Sequence, residues 1–485
     1  MNNLNNHFDV LVIGAGISGI GAGYHLQSKC PNKSYAILEG RDTIGGTWDL
    51  FKYPGIRSDS DMYTLGFSFF PWKEKEAIAD GPSILNYLEE TSEKFNIKEK
   101  IKFNHYVKDA SWCSEKSIWT LKVDDKKTNN IMTMSCNFIF MCSGYYSYEG
   151  GYTPNFKGIN DYSGKIMHPQ KWDESVNYKD KNVIVIGSGA TSVTLVPEMA
   201  KVAKHVIMLQ RSPTYVISAP KQDPLSNFLK KFLPTKISYF IVRWKNILRQ
   251  QWFFRLCKKN PKRVKNFILG QVKSALGKNY DVDKHFTPNY NPWDQRMCLV
   301  PNGDLFKSIR NKKTSVITDH IEKFVPSGIK LKSGKTIDAD LIITATGLNL
   351  ELCSNISLKV DNKEINLADT VTYKGMMFSG IPNLVSTFGY TNASWTLGAD
   401  LTSEYVCRLL NYMKKNSMKK CCPDSNYEIE NNEEWLNLSS GYIERSKDIF
   451  PKQGKKSPWI NNQNFLKDIF QIRYGRINDG DIKFS

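Results

Sequence analysis

The stretch VIVIGSGATS, Val183 to Ser192, repeats a device that the chain has already used at VLVIGAGISG, Val10 to Gly19. Each is a short β-branched apolar run that ends in a glycine turn and passes into residues with helical spacing. That pattern predicts a buried strand, a tight turn and a helix. A second apolar run follows each helix, at Ser34 to Glu39 and at His205 to Gln210, so both stretches open a βαβ unit. Two such units predict an α/β fold with two Rossmann-like dinucleotide-binding domains, the second inserted in the first. On this reading residues 1–150 are the first part of one domain and 151–330 the second domain. Residues 331–485 return to the first and add a C-terminal region, with hinges near 145–175 and 325–350.

Gly14, Gly16 and Gly19 fit GxGxxG spacing. Such glycines allow the tight turn, close approach of backbone to a pyrophosphate and packing of helix on strand, while the helix N-terminus attracts phosphate. Glu39 ends the next strand, 20 residues beyond Gly19, where a carboxylate accepts hydrogen bonds from ribose hydroxyls. The second turn keeps Gly187 and Gly189 but has Ser192 at the third place. Arg211, not an acid, ends its following strand, 19 residues beyond Ser192. A carboxylate repels a 2′-phosphate, whereas a guanidinium grips one bidentately, here with the Ser212 and Thr214 hydroxyls nearby. A plain solvated arginine at a strand end is the alternative for Arg211. The first site thus suits an unphosphorylated ADP group and the second NADP, and FAD with NADPH is the pairing that gives them a shared chemistry.

Composition narrows the classes. A chain of 485 residues, 41% of them apolar, can bury two or three cores. The opening MNNLNNHFDV has neither signal-peptide nor transit-peptide character, and no run reaches the ~20 apolar residues that span a bilayer. The ten cysteines are scattered without a CxxC pair or a histidine cluster, so the expectation is a reduced cytoplasmic setting without a metal site. No cysteine falls between Cys30 and Cys113, where disulfide reductases of this architecture carry their redox pair, which argues against a dithiol relay. Of the net charge of +18, the segment Pro224 to Tyr280 supplies fourteen Lys/Arg and no Asp/Glu. Aromatic residues interleave with these cations. Three readings of the segment stay open, in descending order of preference: a helical insertion packed on the flavin domain, a peripheral contact with an anionic membrane surface, and stacking on single-stranded nucleic acid. The polar tail, 425–485, keeps its aromatics and is expected to be ordered.

Beyond Glu39, the motifs GGTW (45–48), YPGIRSD (53–59), GSGATS (187–192) and ATG (345–347) resemble those of the class B flavoprotein monooxygenases. YSGKIMHPQKWD (162–173) is similar to the Baeyer–Villiger fingerprint, with Gly164, His168 and Trp172 in register and Tyr162 in place of the usual phenylalanine. LQRSPTYV, YNPWDQRMCLVPNGDLF and GYTNASWTL extend the resemblance over essentially the whole chain, nearest to the ethionamide-activating, FAD-containing type. The resemblance implies insertion of one oxygen atom of O2 into lipophilic ketones to give esters, and oxygenation of sulfides or thioamides, by way of a flavin C4a-(hydro)peroxide.

It also implies roles for particular residues. Arg296 stands where the family has the arginine beside the flavin, and Asp59 where a carboxylate pairs with it. Ser18, Glu39, Thr47, Trp48, Asp49, Leu50, Asp59 and Val107 fall at FAD positions, the last through its backbone. Arg57, Ser58, Asp59, Gly187, Ser188, Gly189, Ala190, Thr191, Ser192, Val193, Arg211 and Ser212 fall at NADP positions. His168 is a linker residue in the family rather than an acid or base. Chemistry supports Arg296 separately, because a permanently charged guanidinium stabilises a developing oxyanion without surrendering a proton. Its bland alternative is a loop arginine paired with Asp294. Two rival functions remain: an N- or S-oxygenating flavin monooxygenase with little ketone activity, and a redox-silent nucleotide-binding protein that docks on membranes.

Overall fold

The computed structural model describes residues 6–424, 433–436 and 438–485. The expected α/β architecture with two glycine-turn units is present. In the first sheet the strands Ile101–Lys102, Tyr35–Leu38, His7–Ile13 and Asn130–Met141 run parallel, with Ile13 opposite both Leu38 and Met141. Val10, Leu11 and Val12 are wholly buried, as a parallel strand covered on both faces requires. The long strand Asn130–Met141 continues the sheet antiparallel through Ile118–Asp125 to His105–Cys113. Residues from the far end of the sequence complete it: Leu384–Ser386 lies beside Asn130–Met141, and Ser357–Val360 beside His105–Cys113. Helix Ile17–Lys29 packs on helix Trp395–Lys415 above one face.

The second sheet is parallel throughout, in the order Thr314–Thr318, His205–Gln210, Asn182–Ile186, Leu341–Thr344, Lys165–Met167. It therefore extends past residue 330, since Leu341–Thr344 pairs with Asn182–Ile186. Two crossings join the sheets, and they pair with each other as the antiparallel ribbon of Tyr146–Gly151 and Leu348–Leu350.

The basic segment forms helices Pro224–Leu229, Thr235–Lys259 and Pro261–Leu276. Tyr239, Val242 and Ile247 of the long helix join the core under the first sheet. Arg243 is buried with them and donates to the carbonyls of Tyr63, at 2.8 Å, and Gly66, at 2.7 Å. On the next helix Val264, Ile268, Val272 and Leu276 recur every fourth residue and are buried, the last two in the core of the second sheet. The insertion is thus packed against both halves. No helix among the described residues is long and apolar enough to cross a membrane. Within the tail, Trp435, Leu436, Leu438, Ile443 and Phe450 are buried on the first sheet. The stretch 425–432, also expected to be ordered, lies outside the described residues.

Candidate active site

Both glycine turns open onto one cleft of about 890 Å³ between the sheets, at the C-terminal ends of their strands, which is where open α/β sheets bind ligands. Gly14 holds φ +101°, and a Cβ there would lie 2.8 Å from the Cys142 carbonyl oxygen. A Cβ on Gly19 would lie only 1.8 Å from the Gly14 carbonyl oxygen, so the third glycine lets helix close on strand. Glu39 accepts from the Ala15 N–H at 2.7 Å and the Arg41 N–H at 3.1 Å. Burial raises its pKa, against the lowering effect of those two N–H groups. Gly16, Ser18, Thr47 and Trp48 line the same wall. The Ser18 hydroxyl accepts from the Trp395 indole N–H at 2.7 Å. Three expected FAD residues stand back from the cleft. Asp49 is buried against Arg41, Leu50 packs beside the second core, and the Val107 side chain is buried in the first sheet's core.

On the second turn Gly187 holds φ +134° beneath the Ala345 carbonyl, and nothing lies within 4 Å of a Cβ built on Gly189. Gly187 to Thr191 and Val193 line the cleft, while Ser192 is buried behind it with its hydroxyl unpartnered. Arg211 and Ser212 are exposed at the cleft rim, and Arg211 forms no salt bridge among the described residues. Thr214 lines the cleft beside them, its hydroxyl bonded to the Tyr290 hydroxyl at 3.0 Å. Lys332 and His320, from beyond residue 318, line the same rim.

Where the two turns converge, Arg296 Nε and Nη2 donate to the two Asp59 carboxylate oxygens, both at 3.2 Å. The neighbouring Asp59 raises the guanidinium's pKa further, outweighing the opposing effect of burial, so Arg296 is charged at every accessible pH. Asp294, the alternative partner, is bonded instead to Lys258 at 3.0 Å. Tyr145, Tyr146, Tyr442 and Trp395 surround this end. Tyr145 stacks on Trp395 with ring centroids 5.3 Å apart, and its hydroxyl lies 3.0 Å from that of Tyr146. Arg57 and Ser58 line the same cleft. Arg57 donates to Asp304 at 2.5 Å and keeps its Nη2 buried without a partner.

A family model for flavin-binding monooxygenase-like proteins matches residues 8–437. The FAD-containing monooxygenase EthA of Mycobacterium tuberculosis (strain ATCC 25618 / H37Rv) is 51% identical over 483 residues, covering 99% of this chain and 98% of that protein. The chain belongs to the flavin-binding monooxygenase family. Two solved structures share its fold at low identity. A complex of OTEMO with FAD and NADP has a TM-score of 0.76 at 21% identity, and oxidized steroid monooxygenase bound to NADP has 0.79 at 20%, each covering 99% of both chains.

In this flavin-binding monooxygenase the fingerprint lies at the crossings between the sheets. His168 Nδ1 accepts from the Gln170 N–H at 3.1 Å, which leaves Nε2–H to donate to the Gly347 carbonyl at 3.0 Å. That carbonyl also accepts from the Tyr152 N–H at 3.0 Å. A Cβ on Gly151 would fall 1.8 Å from the imidazole, so the ring lies directly on the ribbon. His168 therefore couples both crossings and is held neutral, its pKa lowered by burial against the raising effect of Gly347. Gly164 makes room for the Tyr162 ring, whose hydroxyl donates to the Ala339 carbonyl at 2.8 Å; this accounts for tyrosine in place of phenylalanine. Trp172 packs edge-on to Tyr178 at the second core.

A histidine whose folded pKa is depressed contributes stability that is fully present above its ordinary value of 6.5 and is lost as pH falls through the folded value. His168→Gln is thus expected to be less stable than wild type above pH 6.5, with the gap narrowing below it. Urea midpoints across that window check this; a gap constant with pH contradicts it.

Proposed function

We infer that this monooxygenase holds FAD on the first glycine turn and NADPH on the second, and inserts one oxygen atom of O2 into lipophilic ketones to give esters. Soft sulfur, as in sulfides and thioamides, is oxygenated in the same cleft. The observation that carries this reading is the bidentate Arg296–Asp59 pair, set where the two cradles meet. The residues fit the groups. The open space at Gly189 and the unpartnered Arg57 Nη2 suit a phosphate-bearing ligand along the second wall, and the close approach of Gly16 to Gly46, 3.6 Å from a built Cβ to Cα, leaves a bare backbone groove in the first.

When bound, NADPH supplies a hydride and FAD the electrons that activate O2. The protein's part is electrostatic and positional. Arg296, oriented by Asp59, presents a fixed positive charge to the oxyanion that develops as the ketone is attacked. It has no easily lost proton, so it stabilises charge without quenching it. Tyr145, Tyr442 and Trp395 wall that end with rings, and Glu39 is buried where ribose hydroxyls would approach the first turn. We take the residues around the first turn, with Asp59, as the FAD contacts, and Arg57, Ser58, the second turn, Arg211 and Ser212 as the NADP contacts. The second sheet, through Leu341–Thr344, forms the inserted domain.

Arg211→Ala is expected to raise KM for NADPH about 10- to 100-fold with kcat nearly unchanged, because one charge-assisted phosphate contact is lost in ground and transition states alike. KM for NADH should hardly move. Equal losses with both nucleotides would remove Arg211 from the 2′-phosphate site. A panel of ketones and sulfides tests the substrate class; NADPH oxidation with no ester from any ketone would leave heteroatom oxygenation alone.

A further inference from the structure

The long helix of the insertion carries apolar residues on two sides, and only one of them is packed. On the outer side Ile237, Ile241, Leu248 and Trp252 recur at spacings of four, seven and four, which is one stripe of an α-helix. Trp252 is 62% exposed, Phe240 beside the stripe 61%, and Phe232 just before the helix 70%. Phe232 meets the exposed Phe228 ring at 5.2 Å. Arg255 and Lys259 continue the stripe, and Lys231, Lys236 and Arg249 flank it, all exposed. The helix's other cations are paired, the inward Arg243 with Asp400 and Lys245 with Asp223, and the exposed Lys258 with Asp294. The outer five form no salt bridge among the described residues. Contiguous exposed apolar surface rimmed by charge marks an interaction site.

We propose that this face docks the enzyme on an anionic lipid membrane. Its rings and aliphatic side chains seat at the boundary of headgroups and acyl chains, and its cations meet lipid phosphates. Charge decides against a second copy, since the five outer cations, in a segment without one Asp/Glu over 224–280, would be set against the same five. The aliphatic members decide against nucleic acid, because Ile237, Ile241 and Leu248 give bases no ring to stack on but suit acyl chains. From the docked face a row of rings leads inward. Phe240 meets Trp244 at 6.3 Å, Trp244 meets Phe465 at 6.3 Å, and Phe465 meets Tyr390, a wall residue of the cleft, at 6.1 Å. If the oxygen-insertion reading holds, a substrate dissolved in the bilayer enters the cleft from this side; the docking itself does not depend on that reading.

Flotation of the full-length flavoprotein with phosphatidylcholine vesicles, with and without phosphatidylglycerol, tests the proposal. The protein should float with the anionic vesicles at low salt and release at high salt as the charges are screened. The double variant Phe232→Ser/Trp252→Ser should lose about tenfold or more of the bound fraction while its NADPH oxidation and melting temperature match wild type. Absence of flotation with anionic vesicles at low salt overturns the proposal. So does equal flotation of the variant, equal binding to neutral vesicles, binding of an oligonucleotide in place of vesicles, or a concentration-dependent dimer that the variant abolishes while neither protein floats.

Discussion

Arg296→Ala is expected to cut ester formation by about 10²- to 10³-fold while NADPH still reduces the flavin. Removing a fixed charge from beside a developing oxyanion costs about 3–4 kcal/mol of transition-state stabilisation. The guanidinium is committed to Asp59 by both of its bonds, so hydride delivery should continue. Electrons then leave as hydrogen peroxide rather than in product. Arg296→Lys should not restore the reaction, because an ammonium cannot reproduce the two parallel bonds to Asp59, 3.2 Å each, and gives up its proton more readily. Product yield, peroxide yield and NADPH consumption, measured together, check this. Full ester yield from the alanine variant would take the role from Arg296.

The second large effect is expected at Gly19. A valine there puts its Cβ 1.8 Å from a backbone oxygen, that of Gly14, and backbone at a strand end buried on both faces cannot yield as a flexible side chain would. Helix Ile17–Lys29 must lift off His7–Ile13, which opens the turn and disturbs the packing against helix Trp395–Lys415. Overpacking of this kind costs about 1–3 kcal/mol or more, and the variant should purify largely without flavin absorbance and melt several degrees lower. Gly189→Ala is the contrast. Its Cβ enters empty space, so fold and flavin should survive, while on the proposed reading KM for NADPH rises because the nucleotide would approach through that space. Retained flavin in Gly19→Val, or a normal KM in Gly189→Ala, would contradict the assignment of the two cradles.

Much of this was legible in the sequence because parallel strands covered on both faces read as unbroken apolar runs, and turns that meet phosphate need glycine. Val10 to Ile13 and Val183 to Ile186 announced both sheets for that reason. The extent of the second sheet was harder, since the short run Leu341–Thr344 carries no mark of which sheet it joins; only its pairing with Asn182–Ile186 decides. Arg296 was found through a short motif, and its pairing with Asp59, 237 residues away, is tertiary. The wall of Tyr145, Trp395 and Tyr442 escaped notice because its members come from three distant segments and none has a spacing signal. Lys332 was missed for a similar reason: it reaches the rim from a hairpin, Ile321–Val325 with Gly328–Leu331, that no nucleotide motif marks.

The most direct measurement supplies the purified flavoprotein with NADPH, a lipophilic ketone and ¹⁸O₂, and weighs the product. Oxygen insertion predicts an ester carrying one ¹⁸O atom for each NADPH consumed, with the carbonyl oxygen of the ketone retained. NADPH oxidation that yields only labelled hydrogen peroxide, with ketone and sulfide substrates alike recovered unchanged, would contradict it.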